Sequence, residues 1–212
     1  MNQKPVKQKR CPCCKEMYTP KRYGLRLTRC CDKLECRLEY AQLARAKEAE
    51  KDARSRKKEF YRNDRSHQLS LCQDVFNKLR RLQELKWFAD RGLQPTCISC
   101  GNTLGGDVWC AGHFKTRGAQ SGLRFDPLNV YLQHNRRCNS DLSGDIYGTK
   151  TTHGYLQGLR NRFGDESAQE IIDYCETNTG VKKWSCEELI DMRADWNKQI
   201  RELEKELNEC IN

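Results

Sequence analysis

Cysteines gathered in short pairs, one alternating apolar stretch between two of those pairs, and long runs of helix formers predict an α+β chain. Its expected architecture is a set of small metal-stapled units joined and flanked by long helices. The 212 residues include 14 cysteines, and with 37% hydrophobic against 32% charged residues the chain reads as modular rather than built on one large core. The start, MNQKPVKQKR, has no apolar stretch behind its charges, so no signal peptide and no export to an oxidising compartment are expected. Paired cysteine knuckles in a reducing cytoplasm point to zinc rather than to disulfides.

The first expected module, residues 1–36, carries CPCCKEMYTPKRYGLRLTRCCDKLEC. Cys11 with Cys14 and Cys31 with Cys36 are its ligand pairs, because thiolates on two tight turns can converge at about 2.3 Å on one zinc ion. Cys13 and Cys30 could each replace a neighbour. Four protein ligands close such a site, so its role is structural.

Residues 37–96 form an expected helical linker. RLEYAQLARAKEAEKDARSRKKEFYR has no Pro or Gly and predicts a long exposed helix. Leu69, Cys72, Val75, Phe76, Leu79, Leu82 and Leu85 then recur at three- and four-residue steps, an amphipathic helix that ends near Gly92 and Pro95 and packs on the central module.

That module, residues 97–150, opens with Cys97-x2-Cys100 and closes with His134-x3-Cys138, a second structural zinc set of two close pairs. Between them DVWCAGHF predicts a strand ending at His113. Asn129 sits in a turn after Asp126-Pro127, and Asn139 directly follows Cys138. Residues 151–212 predict three helices: one broken at Gly164, one from about Glu166 to Cys175, and one opened by a Ser185/Glu188 capping box. Ile190, Trp196, Ile200, Leu203 and Leu207 line one face of the last, which suits core packing and leaves a homodimer contact possible. The remaining cysteines, Cys72, Cys110, Cys175, Cys186 and Cys210, read as packed thiols.

The net charge of +10 is uneven: residues 1–65 hold 20 basic and 9 acidic side chains, residues 151–212 hold 8 and 13. This asymmetry predicts a polyanionic partner at the amino-terminal end. Nucleic acid is favoured over a membrane, since no apolar run approaches the roughly 18 residues of a spanning helix. Lys115, Arg117 and Arg124 between the hairpin strands, with Arg136 and Arg137 inside the second knuckle, are the expected phosphate contacts. No Gly-rich nucleotide loop and no serine nucleophile motif is present, so no nucleotide cofactor is expected.

His113, Asn129 and Asn139 stand in the order of the HNH variety of ββα-metal nucleases. With AGHF, LRF, NV, the cysteine–asparagine pair, LSG and the tail KKWSCEELIDMRADWNKQIRELEKELN, the chain resembles the NinG (Rap) family of phage recombination proteins over most of its length. Its centre is similar to the zinc-bound core of phage endonuclease VII. The resemblance implies a treble-clef-like ββα-metal core and a structure-specific endonuclease acting on D-loops and four-way (Holliday) junctions in the host bacterial cytoplasm. It makes His113 the general base, Asn129 the hairpin asparagine and Asn139 the ligand of a catalytic Mg²⁺ or Mn²⁺. It also makes Cys97, Cys100, His134 and Cys138 the zinc ligands.

One departure stands out: many HNH enzymes carry an aspartate or histidine directly before the base, where this chain has Gly112. Asp107 lies roughly 20 Å along the strand at about 3.3 Å per residue, leaving Asp126 and Asp141 as candidates for the acidic ligand. Asp141 points off the face of Asn139, which Ser143 shares. The competing readings are a non-catalytic zinc protein that binds or remodels branched DNA, and an RNA-binding zinc adaptor.

Overall fold

The structure, a computed structural model, describes residues 6–151 and 153–209, so Cys210 lies outside the described residues. It divides into two units, Met1–Tyr61 and Arg62–Asn212. The boundary falls inside the stretch expected to be a single linker, because the two helices there differ in what they bury.

In the first unit two short hairpins, β1 (Lys9–Arg10) with β2 (Met17–Tyr18) and β3 (Arg22–Tyr23) with β4 (Arg26–Leu27), precede α1 (Leu34–Asn63). Strands of two residues cannot cover a core, and here the core is sulfur: Cys11, Cys30, Cys31 and Cys36, with Tyr18 and Tyr40 packed against them. Cys36 lies in the first turn of α1 and is its buried residue. From Arg37 onward the helix is exposed apart from half-buried Tyr40, as its charge run predicts.

The second unit is built around one hairpin, β5 (Trp109–His113) with β6 (Val130–His134), antiparallel and in register from Trp109↔His134 to His113↔Val130. A two-stranded hairpin is marginal on its own; here helices cover it on both faces. On one side α3 (Gly154–Phe163) and α4 (Asp165–Thr177) bring Tyr155, Leu159, Ala168 and Ile172 onto Tyr131, Phe114 and Leu123. On the other, α2 (Arg65–Ala89) and α5 (Cys186–Glu209) bring Cys72, Phe76 and Leu189 onto Val130, Phe125 and Trp184. Asp64 caps α2 through Ser66 N and His67 N, and the Ser185/Glu188 capping box opens α5 in both directions. Of the apolar face expected on α5, Trp196 packs in the core shared with α2 and Ile200 is buried, but Leu189 and Met192, not Ile190, join Trp196 in that core. Directly after β6 comes a six-residue π-type turn, Asn135–Ser140, shorter than the α-helix a full ββα unit would carry.

Buried polar groups of α2 and α3 seal the free edge of β6. Glu84 accepts from Leu132 N (3.2 Å) and from Arg162 (2.7 Å), Arg80 donates to Val130 O (2.8 Å), and Ile98 N bonds Leu132 O (2.9 Å). Arg162 reaches on to Thr96 O (2.7 Å). This replaces a third strand with side chains. The knuckle is held close to α3: a Cβ on Gly158 would stand 1.6 Å from Ile98 O.

Removing Glu84 would leave two buried guanidiniums without their carboxylate. Glu84→Ala is expected to lower the unfolding free energy by about 3–5 kcal/mol, measured by urea denaturation; a loss below about 1 kcal/mol would place this ion pair with ordinary surface pairs.

Candidate functional site

The ligand atoms of Cys97, Cys100, His134 and Cys138 all lie within 4.8 Å of one another, and all four residues are buried. They come from three separate pieces of chain: the turn before the hairpin, the last residue of β6, and the π-type turn. His134 Nε2–H donates to Thr103 O (2.9 Å), which leaves the Nδ1 lone pair toward the thiols, 3.5 Å from Cys100 Sγ. Trp109 stacks on the ring at 5.0 Å. Three thiols and an imidazole nitrogen held this way could bind zinc.

The first unit holds a second such cluster, Cys11, Cys14, Cys31 and Cys36, again within 4.8 Å. Cys14 Sγ and Cys31 Sγ are 3.8 Å apart, close to the edge of a tetrahedron with zinc–sulfur bonds of about 2.3 Å. Neither Cys13 nor Cys30 belongs to this group, and Cys13 donates instead to Cys36 O (3.4 Å). None of the described cysteines forms a disulfide.

His113 and Asn139 line one groove of about 520 Å³, together with Arg117, Ser143 and, from α2, Asn77 and Arg81. His113 ends β5, and its Nε2–H donates to Arg124 O (3.0 Å), so in the neutral ring Nδ1 is the acceptor. Burial pushes its pKa down to about 4 against the raising effect of that carbonyl, and the charges of Arg117 and Arg124 push the same way. Asn129 is fully buried. It accepts from Lys115 N (2.7 Å) and donates to Lys115 O and Leu123 O (3.0 Å each), so it holds the ends of the loop between the strands. Asn139 is exposed in the groove, its backbone placed by buried Cys138 beside it and by Gly144 N donating to Cys138 O (2.8 Å). Ser143 shares the groove with Asn139, and Asp141 does not line it.

The absence of an acid before the base has a steric reason. A Cβ on Gly112 would lie 2.1 Å from Gln133 Oε1 and 2.8 Å from Gln133 Cβ, so the place of an aspartate is filled from the neighbouring strand. Gln133 is itself fixed by Ser99 Oγ (2.6 Å), and Gly112 O accepts from Tyr155 (2.8 Å). The other acids are engaged elsewhere. Asp107 caps the π-type turn through Arg136 N and Arg137 N, and Asp126 accepts from Leu128 N and Tyr174. Asp145, not among the residues expected from sequence, is buried. Burial would raise its pKa, but the bonds it accepts from Thr151, Lys150 and Thr149 outweigh this and hold it at about 2. The signal for that knot was the run of Thr149, Lys150 and Thr151 four to six residues after the aspartate.

The expected phosphate contacts divide. Arg117, Arg136 and Arg137 are exposed. Lys115 pairs with Glu176 (3.3 Å), and Arg124 is half-buried with its guanidinium donating to Gln73 and to Arg117 O. Cys110 also borders the groove, but burial pushes its thiol up to about 12, away from the thiolate that a nucleophile at neutral pH requires. Cys72 and Cys175 are packed in the two cores, and half-buried Cys186 donates to Asn63 O. No helix among the described residues is long and apolar enough to cross a membrane.

Fold and site together define a class: a two-cluster cysteine protein able to hold zinc, with a histidine and a carboxamide opening on one groove beside a helix-covered hairpin. The family model for the bacteriophage lambda NinG protein matches residues 3–206, and the chain belongs to the NinG family of phage proteins. Relatives named protein ninG are 33% identical in Escherichia phage 933W and 31% identical in Escherichia phage lambda. Each match runs over 121 residues, 57% of this chain and 54% and 53% of those proteins. The ninG protein of Salmonella phage P22 is 31% identical over the same length, 54% of that protein. The chain spans about half the length of the curated relatives it matches. No solved structure matches.

Because the folded ring of His113 is depressed to about 4 from about 6.5 in the unfolded chain, its contribution to stability is present above pH 6.5 and is lost as the pH falls from there through 4. An NMR titration of the DNA-free protein should place the His113 midpoint near 4; a midpoint at the ordinary 6.5 would show that the ring is not held as described.

Proposed function

We propose that this protein is an endonuclease that hydrolyses phosphodiester bonds in branched DNA, D-loops and four-way junctions, during phage recombination. The observation that supports it best is the meeting of His113 and Asn139 in one groove, with Asn129 fixing the hairpin loop and a metal-capable cluster directly behind Asn139. In this reading His113 Nδ1 takes a proton from water. The hydroxide oxygen attacks phosphorus, the P–O3′ bond breaks, and the leaving oxygen takes a proton from solvent, giving a 5′-phosphate and a 3′-hydroxyl. A ring with a pKa near 4 is neutral at pH 7 but a weak base. A phosphate anion seated beside it raises that pKa toward the working pH.

The groove does not by itself fit a magnesium or manganese site. Such ions take oxygen ligands that normally include carboxylates, and among the described residues lining the groove there is none. When bound, a divalent ion would supply charge neutralisation at the leaving oxygen, held chiefly by the DNA's own phosphates with the carboxamide of Asn139. The filled position beside Gly112 favours a second reading, a branched-DNA-binding zinc protein without catalysis.

Incubating a four-way junction, a D-loop and a linear duplex with the parent and with His113→Ala, with and without Mg²⁺, separates the two. Cleavage of the branched substrates that drops by about 10²-fold or more in the variant is the expected result. Equal cleavage by both proteins would remove His113 as the base, and no cleavage by the parent would leave the binding reading.

A further inference from the structure

We infer that the groove seats a DNA phosphodiester between two guanidiniums, and that Arg81, delivered by α2 and not by the hairpin module, is a phosphate-binding residue of that seat. The inference rests on the DNA reading of the groove and adds a residue and a ligand group to it.

The basic side chains of α2 are Arg65, Lys78, Arg80, Arg81 and Lys86. Four of them have partners: Arg65 donates to Trp184 O, Lys78 pairs with Glu204, Arg80 with Glu84 and Val130 O, and Lys86 with Asp90 and Glu206. Arg81 alone has no hydrogen bond or ion pair among the described residues, and it is the one that lines the groove. It is half-buried. Arg117 faces the same groove from the loop after β5.

The two positive charges each act on a different group of the groove. Arg81 is close enough to favour the thiolate of Cys110, and Arg117 is close enough to disfavour protonation of His113. Beside His113 and Cys110 the lining offers neutral groups that can donate: the carboxamides of Asn77, Asn135 and Asn139 and the hydroxyls of Thr116 and Ser143. Two guanidiniums, several neutral donors and no carboxylate form a set suited to an anion with several acceptor oxygens. In a chain of net charge +10, a backbone phosphate is the anion this set matches.

This geometry also explains how the groove can do without an acid before His113. Guanidiniums placed on the phosphate take the charge that a carboxylate-held cation would otherwise neutralise.

The test is fluorescence anisotropy of a labelled synthetic four-way junction with the zinc-loaded full chain, without chelator and without added Mg²⁺ or Mn²⁺, between about 50 and 200 mM KCl. Arg81→Gln should weaken binding roughly 3- to 10-fold and reduce the slope of log K against log salt by about one. Arg81→Lys should keep the slope. Lys78→Gln removes an equal charge from the same helix but from a paired position, and should leave affinity and slope at the parent values. The inference is overturned if Arg81→Gln keeps the parent slope, if Lys78→Gln lowers it as much, or if Arg81→Gln loses several degrees of melting temperature, which would make the side chain part of the packing. Adding Mg²⁺ to the same junction reads cleavage separately. A parent that binds but does not cut sinks the nuclease proposal and leaves the phosphate seat standing, whereas failure of the slope test sinks only the seat.

Discussion

Four side chains, two from the turn before the hairpin and two from the end of β6 and the turn that follows it, converge on one point behind the hairpin, and the geometry of the groove depends on that convergence. Cys97 and Cys100 anchor the turn before β5, His134 is the last residue of β6, and Cys138 lies in the turn that carries Asn139. A metal ion bound there would fix the end of β6 and the position of Asn139 in the same step, since ligand and carboxamide belong to adjacent residues. Without it, three buried thiols and an imidazole would be left facing one another, and the turn would be held only by its bonds to Asp107 and Val108 O.

The helices supply what the hairpin lacks. Two strands leave both faces and two edges to be covered, and the molecule solves the two edges differently. The outer edge of β6 is closed by Glu84, Arg80 and the backbone of Ile98, which makes that side rigid and buried. The β5 side keeps its residues half-exposed and opens on the groove. The asymmetry leaves His113 half-buried on the groove and Leu132 in the core, although both belong to one two-stranded ladder. It also gives α2 two tasks, sealing β6 with Arg80 and Glu84 and lining the groove with Asn77 and Arg81.

Local features were the ones legible in the sequence. Cysteine spacings marked both ligand sets, the alternation of DVWCAGHF placed His113 at a strand end, and Ser185 with Glu188 marked the start of α5. Each of these is a pattern of a few residues whose chemistry is decided by its neighbours in the chain. The choice of Cys11 and Cys31 over Cys13 and Cys30 needed three-dimensional convergence. So did the contact of Gln133 with Gly112, the division at Tyr61, and the aim of Arg81 into the groove, since helical periodicity tells which face a residue shares but not what that face meets. The short π-type turn where a longer helix was expected agrees with Asp107 and Cys138 both claiming the same six residues.

Hydrogen exchange through the second unit, with zinc bound and after complete removal of metal by a chelator, addresses the role of the central cluster most directly. On metal removal the amides of Trp109–His134 and of the Asn135–Ser140 turn should lose protection first, while those of α2 and α5 exchange last. Protection of the hairpin and turn that is unchanged in fully metal-free protein would contradict a metal-dependent groove.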